Sequence, residues 1–319
     1  MKKKCFVSGG AGLIGLEICK ELLRQGCEVH LYDLGEAILT NKFNIPKNII
    51  IHEGSILDLF RLEKVMKSCK YIFHLAAMLG VKYTEDNKLE CLEINCIGTK
   101  NVLTAAVRVK AKKILFASSS EVYGEPKSNP ISENFFTKGK TIYGVSKMVG
   151  EEYCKSFYQE YNLKYTILRY FNTYGPAQTN KFVITKFINN IINKKPILIN
   201  GNGKQLRSYM YVTDAAKVTV KAALTSKTDN MVFNVGNGKK PISLKELANK
   251  VIKITNKKTK IKFDYKFNQS DRNINREIYQ RYCNSLKIQK LLKWSPKISL
   301  EEGIKNIIKN IDKKNLKKL

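Results

Sequence analysis

A glycine-rich turn near the start of the chain constrains its fold more than any other feature. The apolar run Cys5-Phe6-Val7 leads into Gly9, Gly12 and Gly15, and an amphipathic stretch follows from Leu13 to Leu23. In a strand–turn–helix unit, these glycines permit a tight turn, let the main chain approach a pyrophosphate and let the helix pack closely. Amides at the helix N-terminus then face the phosphates. The pattern predicts a dinucleotide-binding site.

An acid at the end of the next predicted strand indicates which dinucleotide binds. Glu28 to Tyr32 is predicted to form that strand, and Asp33 follows it. A carboxylate here accepts hydrogen bonds from both ribose hydroxyls of NAD, but it would repel the extra phosphate of NADP unless an arginine stood nearby. Leu34 and Gly35 follow instead. We therefore predict NAD as the cofactor; the alternative is that Asp33 is a solvated turn residue.

The charge distribution and the apolar runs of the chain argue against a nucleic-acid-binding protein, a membrane protein and a secreted protein. The formal net charge is +30 over 319 residues. Because the lysines are spread along the chain, we interpret this charge as a coating of exposed faces and predict no nucleic-acid partner. No apolar run is long enough to cross a bilayer, and the apolar residues after Lys4 suit a first strand better than a secretory signal. We expect a cytoplasmic protein with no membrane partner.

The cysteines give no sign of disulfides or of a metal site. The chain has 8 of them, scattered through apolar segments and without a C-x-x-C pair. We expect them to be free thiols that pack as small hydrophobic side chains, and we predict no bound metal.

Short apolar strands alternate with helical stretches over the first half of the chain, which is typical of a parallel sheet built from βαβ units. The predicted strands are Lys4 to Ser8, Glu28 to Tyr32, Ile49 to His52, Tyr71 to Leu75, Lys113 to Ala117 and Tyr165 to Arg169. We predict an α/β fold in which residues 1–171 form a Rossmann-type doubly wound parallel sheet that binds NAD. Residues 172–319 are predicted to form mainly a smaller C-terminal α/β lobe for the substrate, with some segments returning to the sheet.

A tyrosine and a lysine four residues apart, Tyr143 and Lys147, share one face of a predicted helix. A free phenol has a pKa of about 10, too high for a good base at neutral pH. A neighbouring ammonium, helped by the positive nicotinamide ring, should lower it. Tyr143 is then a candidate general base for a substrate hydroxyl, with the Ser119 hydroxyl in the same proton network. The alternative is an ordinary amphipathic helix with a surface lysine.

Taken together and in this order, the motifs resemble the extended short-chain dehydrogenase/reductase family, specifically its NAD-dependent nucleotide-sugar epimerases and dehydratases. The resemblance covers nearly the whole chain. It depends on segments Ser8–Gly15, His74–Ala77, Asn95–Thr99, Ser118–Gly124, Tyr143–Lys147 and Arg169–Pro176, on Arg207 with Tyr211–Asp214, and on Arg281 ahead of Lys287–Pro296.

The resemblance implies a role for each matching position. The catalytic group would be Ser119, Tyr143 and Lys147, with Glu121 as a further candidate base. Cofactor contacts would come from Gly9, Gly12, Leu13, Ile14, Gly15, Asp33, Ser55, Ile56, Leu75, Ala76, Ala77, Asn95, Ser118, Tyr143, Lys147 and Tyr170. Substrate contacts would come from Ser119, Asn172, Arg207 and Arg281, where Arg207 suits a diphosphate in fork geometry. Asn95 would support the active-site helix, and a homodimer would form through helices near residues 95–109 and 143–161.

Two departures from the family pattern affect these expectations. Relatives usually have Gly-Asp after the third strand, whereas this chain has Gly54-Ser55, so we expect an altered adenine contact. Some 4,6-dehydratases of the family place Asp-Glu after the catalytic hydroxyl, but Ser120 cannot act as that acid. Glu121 is either a catalytic base, in a Ser-Glu pattern similar to that of nucleotide-sugar decarboxylases and GDP-mannose dehydratases, or a local hydrogen-bond acceptor.

The resemblance implies that Tyr143 takes the proton of a sugar hydroxyl, at C4, while hydride passes to NAD. Because the acid needed for the commonest dehydration is absent, we rank nucleotide-sugar 4-epimerisation first. Decarboxylation or 4,6-dehydration through Glu121 is the alternative. A non-catalytic NAD-binding regulator is a third, although such a protein is expected to lose Tyr143 or Lys147, and both are present. The sequence leaves the sugar and the nucleotide open.

Overall fold

A computed structural model describes residues 2–176, 178–179, 182–266 and 277–316. The strands are β1 (Lys4–Ser8), β2 (Glu28–Asp33), β3 (Ile50–Glu53), β4 (Tyr71–His74), β5 (Lys113–Ser119), β6 (Lys164–Tyr170), β7 (Thr173–Tyr174), β8 (Ile197–Asn200), β9 (Leu206–Arg207), β10 (Met210–Tyr211), β11 (Met231–Val235), β12 (Ile242–Ser243), β13 (Ile261–Asp264) and β14 (Gln280–Arg281). The helices are α1 (Leu13–Arg24), α2 (Gly35–Asn41), α3 (Leu59–Met66), α4 (Val81–Asp86), α5 (Lys88–Leu92), α6 (Gly98–Arg108), α7 (Ile142–Tyr161), α8 (Val183–Ile192), α9 (Val212–Ala223), α10 (Leu244–Thr255), α11 (Leu286–Leu292) and α12 (Leu300–Leu316).

A 7-stranded sheet in the order β11-β6-β5-β4-β1-β2-β3 organises the chain, and its neighbouring strands are all parallel. The prediction of a Rossmann-type parallel sheet is confirmed. The strand order reverses beside β1, so the loops after β1 and β4 border the crevice where ligands of such sheets bind.

The predicted strands match the observed ones to within two residues at each end. The seventh strand, β11, lies beyond residue 171 and pairs with β6 from Met231 opposite Thr166 to Val235 opposite Tyr170. This is a return of a later segment to the sheet, as the sequence prediction allowed. The division into two domains otherwise stays a prediction.

Helices cover both faces of the sheet because its strands are apolar on both sides. In β5, Ile114-Leu115-Phe116-Ala117 is a continuous buried run, which is the pattern of a strand covered by helices on both faces of the sheet. Helices α1, α9 and α11 close one core against the sheet, and α3, α6 and α7 close the other. A third apolar cluster lies between α8, α10 and α12, in the part of the chain predicted to form the C-terminal lobe.

Two loop segments pair where the lobe meets the sheet. The segment Asn129–Glu133, after β5, lies along Gln280–Asn284, which contains β14. The Ile131 amide donates to the Tyr282 carbonyl at 2.9 Å, and the Asn284 amide donates to the Ile131 carbonyl at 2.8 Å. This pairing brings β14 close to the carboxyl end of β5.

No helix among the described residues combines the length and the apolar character needed to span a membrane.

Candidate active site

The turn after β1 leaves no room for a side chain at Gly9 or at Gly15. Gly9 has φ +70°, and a Cβ there would lie 2.6 Å from the Ala76 amide nitrogen after β4. A Cβ on Gly15 would lie 2.1 Å from the Gly9 carbonyl oxygen. Gly12 is the N-cap of α1 without a side-chain cap, so the first amides of the helix, at Leu13 and Ile14, face outward for an anion. This glycine cradle fits a pyrophosphate.

Asp33 stands at the carboxyl end of β2, beside the glycine turn. One carboxylate oxygen accepts the Ala11 amide and the other accepts the Leu34 amide, each at 2.9 Å. Burial raises the pKa of Asp33, and the two amide bonds lower it. Each carboxylate oxygen has a second lone pair, so this fixed carboxylate can still accept bonds from ribose hydroxyls.

The loops after β3 and β4 border the same crevice and contain further predicted cofactor contacts. The Tyr32 hydroxyl donates to the Ser55 carbonyl at 2.8 Å, and the side-chain amide of Asn101 donates to the Ile56 carbonyl at 3.2 Å. The Ser55 hydroxyl accepts the Leu57 amide at 3.2 Å. Tyr32 and Asn101 therefore fix the path of this loop. Leu75, Ala76 and Ala77 follow β4, and the first two of them lie against Gly9.

Two predicted cofactor residues direct their hydroxyls into the protein instead. Ser118 donates its hydroxyl to the buried Glu151 carboxylate. Tyr170 shares a 2.6 Å hydrogen bond with the Thr219 hydroxyl of α9. Their cofactor contacts therefore stay predictions that depend on the main chain or the ring.

The structure brings Ser119, Tyr143 and Lys147 together at the carboxyl end of β5. Ser119 ends that strand, and its side chain is near enough to the Tyr143 phenol to lower the pKa of that phenol. Thr141 caps α7 by accepting the Gly144 amide at 3.0 Å, which fixes the first turn of the helix around Tyr143. Lys147 is buried one turn later, with its Nζ 5.7 Å from the centre of the Tyr143 ring. This arrangement can move a proton between a substrate hydroxyl and the phenol.

Burial changes both pKa values in this group. It raises the pKa of Tyr143, as do the nearby Glu121 carboxylate and Cys91, while the Ser119 hydroxyl lowers it. Burial lowers the pKa of Lys147 to about 8. The sequence-based expectation was a net lowering for Tyr143, but desolvation of the phenolate outweighs it. The positive charges of Lys147 and of a nicotinamide ring would therefore have to offset a larger desolvation cost of the phenolate than expected.

We predict that activity falls above about pH 8, with the slope of a single proton. Because the pKa of Lys147 is lowered to about 8, its ammonium is lost in that range, and with it the positive charge that lies 5.7 Å from the centre of the Tyr143 ring. The measurement is kcat/KM from about pH 6 to about pH 10. Residual activity of Lys147→Arg, whose guanidinium does not titrate there, should lack this decline. A wild-type plateau through the whole range would contradict the assignment.

The family resemblance implies that Asn95 supports the active-site helix, and its side chain hydrogen-bonds to a residue of that helix. Its amide donates to the Ser146 hydroxyl at 3.0 Å and to the Met78 carbonyl at 3.1 Å, and its Oδ1 accepts the Met78 amide at 2.7 Å. Ser146 precedes Lys147, so Asn95 connects the loop after β4 to the catalytic turn of α7.

The predicted substrate arginines lie at the edge of the lobe, and both are held by acids. Arg281 in β14 forms a buried ion pair with Glu121, which sits in the 3₁₀ turn Ser120–Tyr123. Arg207 in β9 pairs with Glu277 at 2.8 Å and donates to the Ile278 carbonyl at 2.6 Å. These pairings aim each guanidinium and hold it in place.

Asn172 lies on the loop between β6 and β7. It has φ +34°, and its side-chain amide donates to the Ser208 carbonyl at 3.0 Å. That contact ties the end of β6 to the segment after Arg207, so Asn172 lies between the sheet and the lobe.

Sequence reasoning missed a buried polar network behind the catalytic residues. Arg169 in β6 forms a two-pronged ion pair with Glu151 of α7, at 2.8 and 2.6 Å, and also donates to the Tyr123 hydroxyl at 2.9 Å. Two signals in the sequence indicate it: Glu151 lies four residues after Lys147 on the same helix face, and Arg169 comes directly after the buried pair Ile167-Leu168 within its strand.

A model of the NAD-dependent epimerase/dehydratase family matches residues 5–236, which include the glycine turn, Asp33 and the catalytic group. The chain belongs to the NAD-dependent epimerase/dehydratase family. Like its family, it uses NAD, and it is an enzyme that modifies nucleotide sugars.

Individual members of the NAD-dependent epimerase/dehydratase family match nearly the whole chain. It is 34% identical to a UDP-N-acetyl-alpha-D-glucosaminuronate decarboxylase of Bacillus cytotoxicus, over 97% of each protein. It is 30% identical to a UDP-glucuronate 4-epimerase of Thermodesulfobacterium geofontis, over 98% of this chain and 96% of that one. Among solved structures, a UDP-glucose 4-epimerase of Thermotoga maritima with UDP-glucose superposes with a TM-score of 0.88 at 30% identity, over 98% of this chain and 99% of that one.

Proposed function

We propose that this chain is a UDP-sugar 4-epimerase that works through a transient 4-keto sugar. The glycine turn and Asp33 would hold NAD, which would supply the hydride acceptor and donor for C4. Tyr143 removes the proton of the C4 hydroxyl in the first half-reaction and gives it back in the second, and the neighbouring Ser119 hydroxyl belongs to the same proton network. Inversion follows when the keto sugar presents its other face before hydride returns.

The Glu121–Arg281 ion pair is the observation that favours epimerisation over dehydration. Dehydration needs a further acid and base beside the sugar, whereas epimerisation needs only the proton carried by Tyr143. Ser120 is buried and is not an acid, and the Glu121 carboxylate is bound by the Arg281 guanidinium. An ion-paired carboxylate is a weaker base than one that only water solvates.

The same ion pair favours one second candidate, decarboxylation of a UDP-linked uronic acid. A carboxylate on C5 of the sugar can compete with Glu121 for Arg281, because guanidinium binds carboxylates in a two-pronged fork. Oxidation at C4 would turn such a substrate into a β-keto acid, which loses carbon dioxide. The likeness to the Bacillus cytotoxicus decarboxylase supports this alternative.

Further parts of the proposal concern the substrate, the assembly and the compartment. UDP is the nucleotide because the three relatives named above act on UDP-sugars by name. We assign Arg207 and Asn172 to the substrate and propose a homodimer through α6 and α7.

All eight cysteines are unpaired thiols, which suits the cytoplasm, and sugar-nucleotide chemistry there belongs to carbohydrate biosynthesis.

A panel of four substrates tests the proposal: UDP-glucose, UDP-N-acetylglucosamine and the uronic acid of each, incubated with the enzyme and NAD. We expect proton NMR to show an inverted C4 in a product of unchanged mass. Release of carbon dioxide from the two uronic acids would instead support the second candidate. An unchanged set of sugars, from protein that retains NAD, would overturn both.

A further inference from the structure

Asn234, in the strand β11 that returns from the C-terminal half, makes side-chain hydrogen bonds to three separate segments. It is completely buried. Its Oδ1 accepts the Tyr123 hydroxyl at 2.7 Å, and its amide nitrogen donates to the Ile131 carbonyl at 3.0 Å and to the Asn284 carbonyl at 3.3 Å. One small side chain therefore fixes a turn, a loop and the chain after β14 relative to one another.

Those three segments carry the groups around the proposed sugar site. Tyr123 ends the 3₁₀ turn that contains Glu121 and follows Ser119. Asn284 lies three residues after Arg281, and Ile131 belongs to the loop that pairs with that stretch. Glu121 and Arg281 come from positions 160 residues apart. Asn234 reaches both of their segments.

Backbone and side-chain hydrogen bonds together hold these three segments rigidly against one another. The Tyr123 hydroxyl also accepts from Arg169, so the turn is bonded to β6 as well as to β11. The Asn234 backbone amide donates to the Glu133 carboxylate at 2.9 Å, which holds the other end of the loop. In a dry interior each of these groups is costly to leave unpaired, so the segments cannot shift independently.

We propose that Asn234 is a positioning residue that holds the Arg281 segment against the Glu121 turn and thereby sets the affinity for the nucleotide sugar. The proposal rests on the proposed function, in which Arg281 contacts the substrate. Asn234 itself touches neither the proton path nor the glycine cradle. Its loss should therefore weaken sugar-nucleotide binding and leave NAD binding unchanged.

The test measures UDP-sugar and NAD affinities by calorimetry, together with KM and kcat, for Asn234→Leu. This substitution keeps the branched skeleton and the number of side-chain heavy atoms, and it removes all three side-chain hydrogen bonds. We expect the UDP-sugar Kd and KM to rise about tenfold or more, as the loss of two or more buried hydrogen bonds implies. The NAD Kd should change less than about twofold. Tyr123→Phe, which removes one hydroxyl and keeps the ring, should give a smaller change of the same kind and serves if Asn234→Leu does not fold.

An Arg281→Gln background separates positioning from general destabilisation. If Asn234 acts through Arg281, adding Asn234→Leu to that variant should raise the UDP-sugar Kd by less than about twofold. The matched control is Thr166→Val, which removes a fully buried hydroxyl on β6 that donates to the Thr228 carbonyl at 2.8 Å. It should lower stability without changing either affinity.

An equal rise in the NAD and UDP-sugar Kd values for Asn234→Leu, or a full additional effect in the Arg281→Gln background, would overturn the proposal. Because calorimetry measures binding without turnover, failure of the positioning role can be distinguished from failure of the epimerase assignment. The latter would appear as wild-type protein that binds UDP-sugars and converts none.

Discussion

Tyr143→Phe should lower kcat by between about a hundredfold and ten-thousandfold, the range for loss of a positioned acid–base group. Phenylalanine keeps the ring between Ser119 and Lys147 and removes only the hydroxyl that carries the proton. Initial rates with the best UDP-sugar of the panel, measured by NMR, give the change in kcat. Calorimetry should show NAD and UDP-sugar affinities within about threefold of wild type, because the lost group acts in the reaction more than in ground-state binding.

Tyr153→Phe is the matched control, since it removes a partly buried phenol from the same helix, at a position that packs against the core formed with α3 and α6. It should leave kcat unchanged. If Tyr143→Phe kept more than about a tenth of wild-type activity, then Ser119 or a water molecule would have to be the base, and the proposed proton path would be wrong.

The largest loss of stability is expected from Arg169→Met. The guanidinium and the Glu151 carboxylate are both nearly inaccessible to solvent, with side-chain exposures of 7% and 3%. Removal of the arginine leaves a carboxylate in the interior whose remaining hydrogen-bond donor, among the described residues, is the Ser118 hydroxyl. Breaking a buried pair from one side costs about 3–5 kcal/mol, which should appear in the free energy of unfolding in urea at neutral pH.

Two further variants identify the cause of that loss. Glu151→Leu combined with Arg169→Met removes both charges and should recover most of the stability, because no uncompensated charge remains. Lys155→Met breaks an exposed pair with Glu152 on the same helix and should change stability by less than about 0.5 kcal/mol. A double variant as unstable as Arg169→Met would show that packing, rather than the buried charge, is responsible.

Elements whose signal lies within a few residues were predictable from the sequence. The glycine turn, the acid ending β2 and the apolar run of β5 each determine their local structure through backbone freedom or burial. Their order along the chain then leads to a parallel sheet with a crevice at its carboxyl ends, because βαβ crossovers have one hand. The proximity of Ser119 and Tyr143 follows from that topology.

The ion pairs around the site were not predictable, because their partners are far apart in the sequence. Glu121 and Arg281 are separated by 160 residues, and Arg207 and Glu277 by 70. A single sequence shows that these charges exist and gives no distance between them. The pKa of Tyr143 was mispredicted for a related reason: the neighbouring lysine can be read from helical spacing, whereas the degree of burial depends on the whole fold.

The pairing of β11 with β6 has a consequence for folding during synthesis. The Rossmann sheet cannot be completed until Val235 has left the ribosome, although its first six strands end at Tyr170. Until then β6 has an open edge, and the core face later covered by α9 stays exposed. Such sequence-distant pairing folds slowly and leaves apolar surface available to chaperones or to aggregation. The nascent chain is therefore most vulnerable while the residues between β6 and β11 are being made.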